Sequence, residues 1–102
     1  MQYISIFDAK KDISLEEIEK EREEWIKKGK DKVFHKKCRN INRYEILGIF
    51  PLKIIFVIDT DDSSVLNLLT HHFGHGWNSV TYPVIQREIY EALEEDKSVI
   101  GG

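Results

Sequence analysis

The fold of this chain is decided by one stretch, Lys53-Ile54-Ile55-Phe56-Val57-Ile58-Asp59. Its β-branched and aromatic residues favour a strand. Apolar side chains occupy both alternating faces, which is typical of a central strand covered on both sides. The preceding segment 43–49 predicts another strand, and Phe50-Pro51-Leu52 predicts the turn between them, because Pro51 cannot donate to a strand ladder. The two strands are therefore expected to form an antiparallel hairpin.

The part before this hairpin predicts one strand and one helix. Tyr3–Phe7 is apolar on both faces, as expected of a covered strand. Ser14 and Glu17 have the spacing of a helix-starting capping box, and Gly29 is a plausible end for that helix. Residues 31–40 fit either a strand or a helix, and we favour a helical continuation that Asp31 caps, because residues 43–49 make the better strand.

The part after the hairpin repeats the pattern. Residues 61–63 offer caps for a second helix, which Gly74 and Gly76 end. Residues 79–86 predict a fourth strand, with Pro83 arguing for an edge position or a bulge. Residues 87–95 predict a short C-terminal helix, and a flexible tail over 95–102 follows. Three residues of that helix are expected to face inward: Ile89, Ala92 and Leu93.

The predicted order is β-α-β-β-α-β, which is the ferredoxin-like α+β fold. It implies a single domain over residues 1–102, with a four-stranded antiparallel sheet and both helices on one face. The other sheet face is left open, although the first and third strands are apolar on both sides. A second copy of the same sheet would cover it by symmetric association, so we expect a homodimer formed through the open sheet face.

Composition narrows the class of protein. The chain has 102 residues, 41% of them hydrophobic and 32% charged, which is typical of a globular domain. No basic leader precedes an apolar stretch and no apolar run is long enough to span a membrane, so we expect a cytoplasmic protein with no membrane partner. The single Cys38 excludes an internal disulfide framework. The C-terminal Gly101-Gly102 pair is interpreted as part of the tail, since the chain does not open with the hairpin of the sulfur-carrier fold.

Three features together carry a resemblance to a known superfamily: the order of elements over residues 3–86, the hairpin 43–59, and the segment 69–85, in which a helix, a Gly and a Trp precede the last strand. The chain resembles the dimeric α+β barrel superfamily, which includes muconolactone isomerase, and within it uncharacterised members. The resemblance implies that two sheets pack into a barrel and that small aromatic or carboxylic ligands bind between sheet and helices. The basic segment 30–42 departs from muconolactone isomerase, so that activity is not carried over.

Three of the four histidines lie within five residues, in His71-His72-Phe73-Gly74-His75, two residues before Trp77. Such spacing could chelate a metal, but Gly74 should break the helix between the rings, so no metal site is predicted. One alternative is that His71 and His72 only complement the helix C-terminus. The other is that His72 or His75 acts as a general acid or base, because histidine titrates near neutrality. We therefore take His72 and His75 as candidate catalytic residues.

Arg43, Tyr44 and Trp77 are the candidate substrate-binding residues. Arg43 could bind a carboxylate through two hydrogen bonds if its strand face lines a cleft, whereas the favoured alternative is that Arg43 and Glu45 make a surface pair with a neighbouring strand. No cofactor is predicted. The basic segment 27–43 has Phe34 as its only aromatic residue before Arg43 and the net charge is −3, so nucleic-acid binding is not favoured. Two functions remain open: a small-molecule pocket that belongs to an enzyme, and a non-catalytic oligomeric or ligand-sensing module.

Overall fold

The computed structural model describes residues 1–101, which form four strands, four α-helices and one 3-10 turn. The elements are β1 (Gln2–Ala9), α1 (Leu15–Lys27), α2 (Lys30–Lys37), β2 (Asn40–Glu45), β3 (Lys53–Asp59), α3 (Ser64–Phe73), the 3-10 turn (Gly74–Gly76), β4 (Trp77–Val84) and α4 (Ile89–Ile100).

The four strands form one antiparallel sheet in the order β2-β3-β1-β4. This is the strand order of the ferredoxin-like fold, so the predicted α+β class and architecture are confirmed. β3 runs over Lys53–Asp59, as predicted, and lies between β2 and β1. Pro83 lies in β4, an edge strand, where a missing N–H costs no ladder bond on the outer side.

The first helix starts as the capping pattern predicts, because the Ser14 Oγ accepts a hydrogen bond of 3.1 Å from the Glu17 N–H. Gly29 follows α1 with a φ of 72° and lets the chain turn directly into α2. Residues 30–37 are helical, as favoured, but Asp31 does not cap that helix. Its carboxylate instead accepts the indole N–H of Trp25 at 2.9 Å, since Asp31 lies within the first turn of α2.

Strand boundaries differ from the predictions at both outer strands. β2 begins at Asn40 and ends at Glu45, so residues 46–49 belong to the loop before Pro51 and not to the strand. Gly48 has a φ of 78°, which ends the extended conformation there. β4 begins at Trp77, two residues earlier than predicted, because Ala9 at the end of β1 pairs with Trp77.

The C-terminal predictions were wrong in extent and orientation. α4 continues to Ile100, so residues 96–100 are helical and not a tail, and Gly102 lies outside the described residues. Neither Ile89 nor Leu93 faces inward: they are 79% and 50% exposed, and α4 contains no buried residue. The helical period gives α4 an apolar side, but the body of the chain does not cover it.

The core lies between one face of the sheet and helices α1 to α3. β3 illustrates the arrangement, since Ile54, Phe56 and Ile58 are buried while the alternate residues are partly exposed. Phe7 of β1 stacks on Phe73 of α3 with ring centroids 3.9 Å apart. The opposite face carries no helix, which leaves its apolar side chains without a cover from this chain: Ile4, Ile6, Tyr44, Ile55, Val57, Val80, Tyr82 and Val84. Among the described residues, no helix is long and apolar enough to cross a membrane.

Candidate functional site

A cleft of about 390 Å³ opens between the helix layer and the covered face of the sheet. Its size lies within the range of small-molecule sites. α1, α2 and α3 form one wall, and β2 and β3 form the other, with the start of β4 at one end. The cleft exists because the helices pack closely over β1 and β3 but leave β2 less covered, since every β2 residue is at least partly exposed.

Aromatic rings line the cleft together with aliphatic and charged side chains. Phe34, Phe56, Phe73 and Trp77 are nearly fully buried and pack edge to face, with centroids 4.9 to 6.2 Å apart. Edge-to-face packing of this kind is favourable and rigid. The walls therefore offer a preformed apolar site for a flat ligand.

Three charged side chains mark the exposed rim of the cleft. The Glu45 Oε1 accepts hydrogen bonds from Arg22 and from Arg43, each at 2.9 Å. All three side chains are 36% to 40% exposed. Arg43 and Glu45 therefore pair with each other on β2, and Glu45 pairs with Arg22 of α1, so the predicted pairing with a neighbouring strand was wrong. The pair lies at the cleft mouth, where a ligand carboxylate could displace one of the two guanidinium contacts.

Trp77 carries the polar atom that most needs a partner. Its Nε1 is buried and has no hydrogen-bond partner among residues 1–101. An unpaired buried donor is costly, so it requires an explanation such as a catalytic role or a bound water or ion. The Glu21 carboxyl lies nearby: burial raises its pKa, while the Trp77 N–H lowers it in part, although the two groups lack the geometry of a hydrogen bond.

His72 projects from α3 into the same cleft. Its ring lies 4.4 Å from the Trp25 ring, centroid to centroid. Burial lowers the pKa of His72 to about 4, and the positive charges of Lys30, Arg22 and Arg43 lower it further in the same direction. His72 is thus neutral at neutral pH, so the premise that it titrates near neutrality does not hold. Three carboxylates, those of Glu21, Asp31 and Glu45, also line the cleft, so the charges around this ring are mixed.

The structure brings together three of the five predicted site residues. Arg43, His72 and Trp77 all line the cleft. Tyr44 does not, because side chains alternate along a strand and Tyr44 points to the open face, where it is 54% exposed. His75 lies exposed in the 3-10 turn after Gly74 and is not part of the cleft.

Sequence reasoning missed Glu21 and Trp25 as site residues. Both lie on α1, and Trp25 belongs to the apolar stripe of that helix. Glu21 sits on the border of the stripe in a run of glutamates, and nothing in the sequence separates it from its solvated neighbours. A mid-helix acid one turn before a buried Trp is the only signal that could have indicated it.

The structure gives no support to a metal site or a nucleic-acid interface among the described residues. Among residues 1–101, no group of three or more His, Cys, Asp or Glu residues is arranged to hold a metal ion. In the basic segment, Arg39 pairs with Asp59 and Asp61, and Lys37 pairs with Asp62 at 3.2 Å. The acidic loop 59–62 thus neutralises part of the basic charge on which a nucleic-acid interface would depend.

Comparison with known proteins shows little similarity in sequence. No protein-family model matches the chain, and no curated protein matches it. Among solved structures, it is similar to At3g17210 from Arabidopsis thaliana, with a TM-score of 0.45 and 12% identity over 86% of this chain and 98% of that one. It is also similar to a dimeric ferredoxin-like protein of unknown function from Thermobifida fusca, with a TM-score of 0.43 and 12% identity over 81% and 89% of the two chains. The strand order β2-β3-β1-β4 agrees with the fold that the resemblance noted above implies.

Proposed function

We propose that the cleft binds a small aromatic molecule that carries a carboxylate or a similar hydrogen-bond acceptor. The observation that carries this proposal is the buried Trp77 Nε1, which lines an aromatic cavity and has no partner among residues 1–101. The rings of the cleft supply the apolar contact. Arg43 at the rim is the group that would bind a carboxylate on the ligand.

Titration with 1-naphthoate, followed by ¹⁵N–¹H correlation NMR, tests this proposal. The chain has two tryptophans, so it gives two indole N–H signals. The Trp25 N–H already donates a hydrogen bond to Asp31. The Trp77 N–H has no acceptor among residues 1–101 and can donate to a ligand. We expect saturable binding with a downfield shift of the Trp77 signal, and weaker binding of neutral 1-naphthalenemethanol.

Two full-length variants sharpen the test. Trp77→Phe keeps an aromatic ring but removes the donor, and Arg43→Gln removes the rim cation from a half-exposed position. Each is expected to weaken 1-naphthoate binding about tenfold, the usual effect of one lost hydrogen bond to a charged group. Lys20→Gln, an exposed change on α1 outside the cleft, is the control. Equal affinity in all four proteins, or shifts confined to residues outside the cleft, would refute the proposal.

Acid–base catalysis in the same cleft is the second candidate, and the environment of Glu21 favours it. Burial raises the pKa of this carboxyl and so makes it a better base at neutral pH. The Trp77 N–H and Arg43 could stabilise an enolate oxygen. Neutral His72 would orient the ligand and would not act as the base. The matching reaction is proton abstraction next to a carbonyl group.

Deuterium exchange at the methylene group of phenylpyruvate in D₂O measures that reaction directly. This probe combines an aromatic ring, a carbonyl and a carboxylate. We expect the wild-type chain to accelerate exchange and Glu21→Gln to remove the acceleration while 1-naphthoate still binds. If the wild-type chain gives only the buffer rate, the protein is a binding module and not an enzyme of this type.

The homodimer is the third part of the proposal, and the apolar side chains of the open sheet face support it. A sheet face rich in Ile, Val and Tyr is unusual next to water, and a two-fold interface would cover both copies at once. Sedimentation analysis of the full chain is expected to give a dimer at micromolar concentration. Ile55→Glu, at the centre of that face, should give a folded monomer.

Leu15→Glu is the matched control for the dimer, because Leu15 is 72% exposed on α1, away from the open face. It should leave the dimer intact. If Ile55→Glu fails to fold, Val80→Glu on the edge strand replaces it, since Val80 is already 44% exposed. A full chain that is still monomeric at a protein concentration of about 100 μM would contradict the dimer.

A further inference from the structure

The C-terminal helix α4 extends away from the rest of the chain. It contains no buried residue, and Ile89, Tyr90, Val99 and Ile100 are 77% to 84% exposed. The described chain is 56 Å long, with a radius of gyration of 16.8 Å. A compact chain of this length would have a radius of gyration of about 13 Å. An apolar helix has therefore formed without a surface to pack on.

The sequence of α4 nevertheless specifies an amphipathic helix. Ile89, Leu93 and Ile100 fall on one line along it, because they are spaced by four and seven residues. Asp96 interrupts this line and pairs with Arg87 at 3.4 Å. Glu91, Glu94 and Ser98 occupy the opposite side. A helix of 12 residues is marginal in water by itself and gains its stability from packing of its apolar side. The pattern thus requires a partner surface.

A short connection links the open sheet face to α4. β4 carries Val80, Tyr82 and Val84 on the open face, and four residues, 85–88, separate the end of β4 from the start of α4. Ile85 is 69% exposed, and the three residues after it are polar. Because β4 is an edge strand, a second copy that covers the open face would come within reach of the start of α4.

The size of the open face favours a second copy that uses both surfaces. Four strands of about seven residues cover a rectangle of about 20 by 23 Å, which is about 460 Å². That is smaller than the roughly 800 Å² that each partner buries in a stable interface. α4 adds a strip about 18 Å long and about 10 Å wide. The two surfaces together approach the area of a stable dimer.

We propose that α4 of each chain packs its Ile89–Leu93–Ile100 line against the second copy, at the margin of the sheet-to-sheet interface. This inference rests on the homodimer proposed above and adds an exchanged helical arm to it. It commits the helix to the partner and not to the open face of its own chain.

The test uses full-length variants and the dimer dissociation constant from sedimentation. Leu93→Glu places a charge in the middle of the apolar line and should raise that constant at least tenfold, since it removes one buried Leu from each copy's contact. Ser98→Glu adds the same charge on the polar side and should leave the constant unchanged. Because α4 packs on nothing in its own chain, Leu93→Glu should leave the thermal unfolding of the body intact.

The direction in which Leu93→Glu changes the dimer dissociation constant separates the outcomes. Weakened association by Leu93→Glu alone supports the exchanged arm. If α4 instead covered its own open face, Leu93→Glu would release that face and strengthen association, which would overturn the inference. An unchanged dissociation constant would also overturn it, while leaving the homodimer standing. A wild-type chain that is monomeric would overturn both.

Discussion

The two faces of the β-sheet are built from the same strands, but they differ in how far the chain covers them. On β3, Phe56 faces the helices and is 5% exposed, whereas its neighbours Ile55 and Val57 face outward and keep more contact with solvent. Both faces are apolar, so hydrophobicity alone does not distinguish them. The difference lies in what the chain can supply: three helices cover one face, and nothing from the described chain covers the other.

One apolar face is therefore a core, while the other is the surface through which we propose that two copies associate. The covered face also contains the cleft, because the helices leave β2 partly uncovered. The predictions below test the contrast between the two faces, from the largest expected effect to the smallest.

Substitution of Phe7 should have the largest effect on stability. Phe7 is fully buried on the covered face and stacks on Phe73. Phe7→Ala should lower the free energy of unfolding by about 3–5 kcal/mol, through lost burial and the cavity left behind. Chemical denaturation measures this loss.

The adjacent residue Ile6 gives the matched comparison, since it points to the open face. Ile6→Ala should cost about 1 kcal/mol in dilute monomer and more as protein concentration rises, because the side chain would become buried only on association. A large cost for Ile6→Ala that does not depend on concentration would contradict the contrast between the faces.

Acidification should destabilise the covered face through His72. Its pKa is about 4 in the folded chain, below the ordinary value of 6.5. Between these values the unfolded chain binds a proton that the folded chain does not, so the free energy of unfolding should fall as the pH falls from about 6.5 towards 4. Solvent screening should keep this loss smaller than that of Phe7→Ala, because His72 is only partly buried.

Thermal unfolding of the wild-type chain and of His72→Gln is compared across that pH range. Both proteins contain the same carboxylates that titrate at the acid end, so the difference between them isolates the contribution of His72. His71→Gln, an exposed change on the same helix, is the control. Parallel curves for wild type and His72→Gln would contradict the burial of a neutral His72.

A hydroxyl pair should give the smallest effect. Ser5 is buried on β1, and its Oγ lies 2.8 Å from the Oγ1 of Thr81 on β4. Ser5→Ala should cost about 1 kcal/mol, because Thr81 loses its partner. The double variant Ser5→Ala with Thr81→Val should recover part of that loss, since no buried hydroxyl then remains unpaired. Additive losses in the double variant would show that the pair does not stabilise the sheet.

Much of the fold could be predicted because its signals are local. The Ser14–Glu17 capping pattern, the alternation along β3 and the Pro83 edge signal each reflect interactions within a few residues. The ends of β2 and β4 could not be predicted in the same way. They depend on pairing with a neighbouring strand, as for Trp77 opposite Ala9, and that pairing partner is distant in sequence.

The candidate site was predictable only in part. Arg43, His72 and Trp77 drew attention by residue type and local pattern, but Glu21 became a candidate only when α1 was placed over Trp77. Tyr44 was excluded from the cleft by one step of strand alternation. His75 was excluded by the turn at Gly74, whose φ of 64° ends α3.

The sequence by itself determined the order of the elements, the apolar character of both sheet faces and the amphipathic pattern of the C-terminal helix, because local periodicity and capping encode these features. Only the tertiary structure decided which sheet face became the core and where the aromatic cleft lies. It also decided that the Trp77 N–H is buried without a partner among residues 1–101 and that α4 lies apart from the body. These properties depend on which distant segments come together, and packing energy between such segments has no signature in the local sequence.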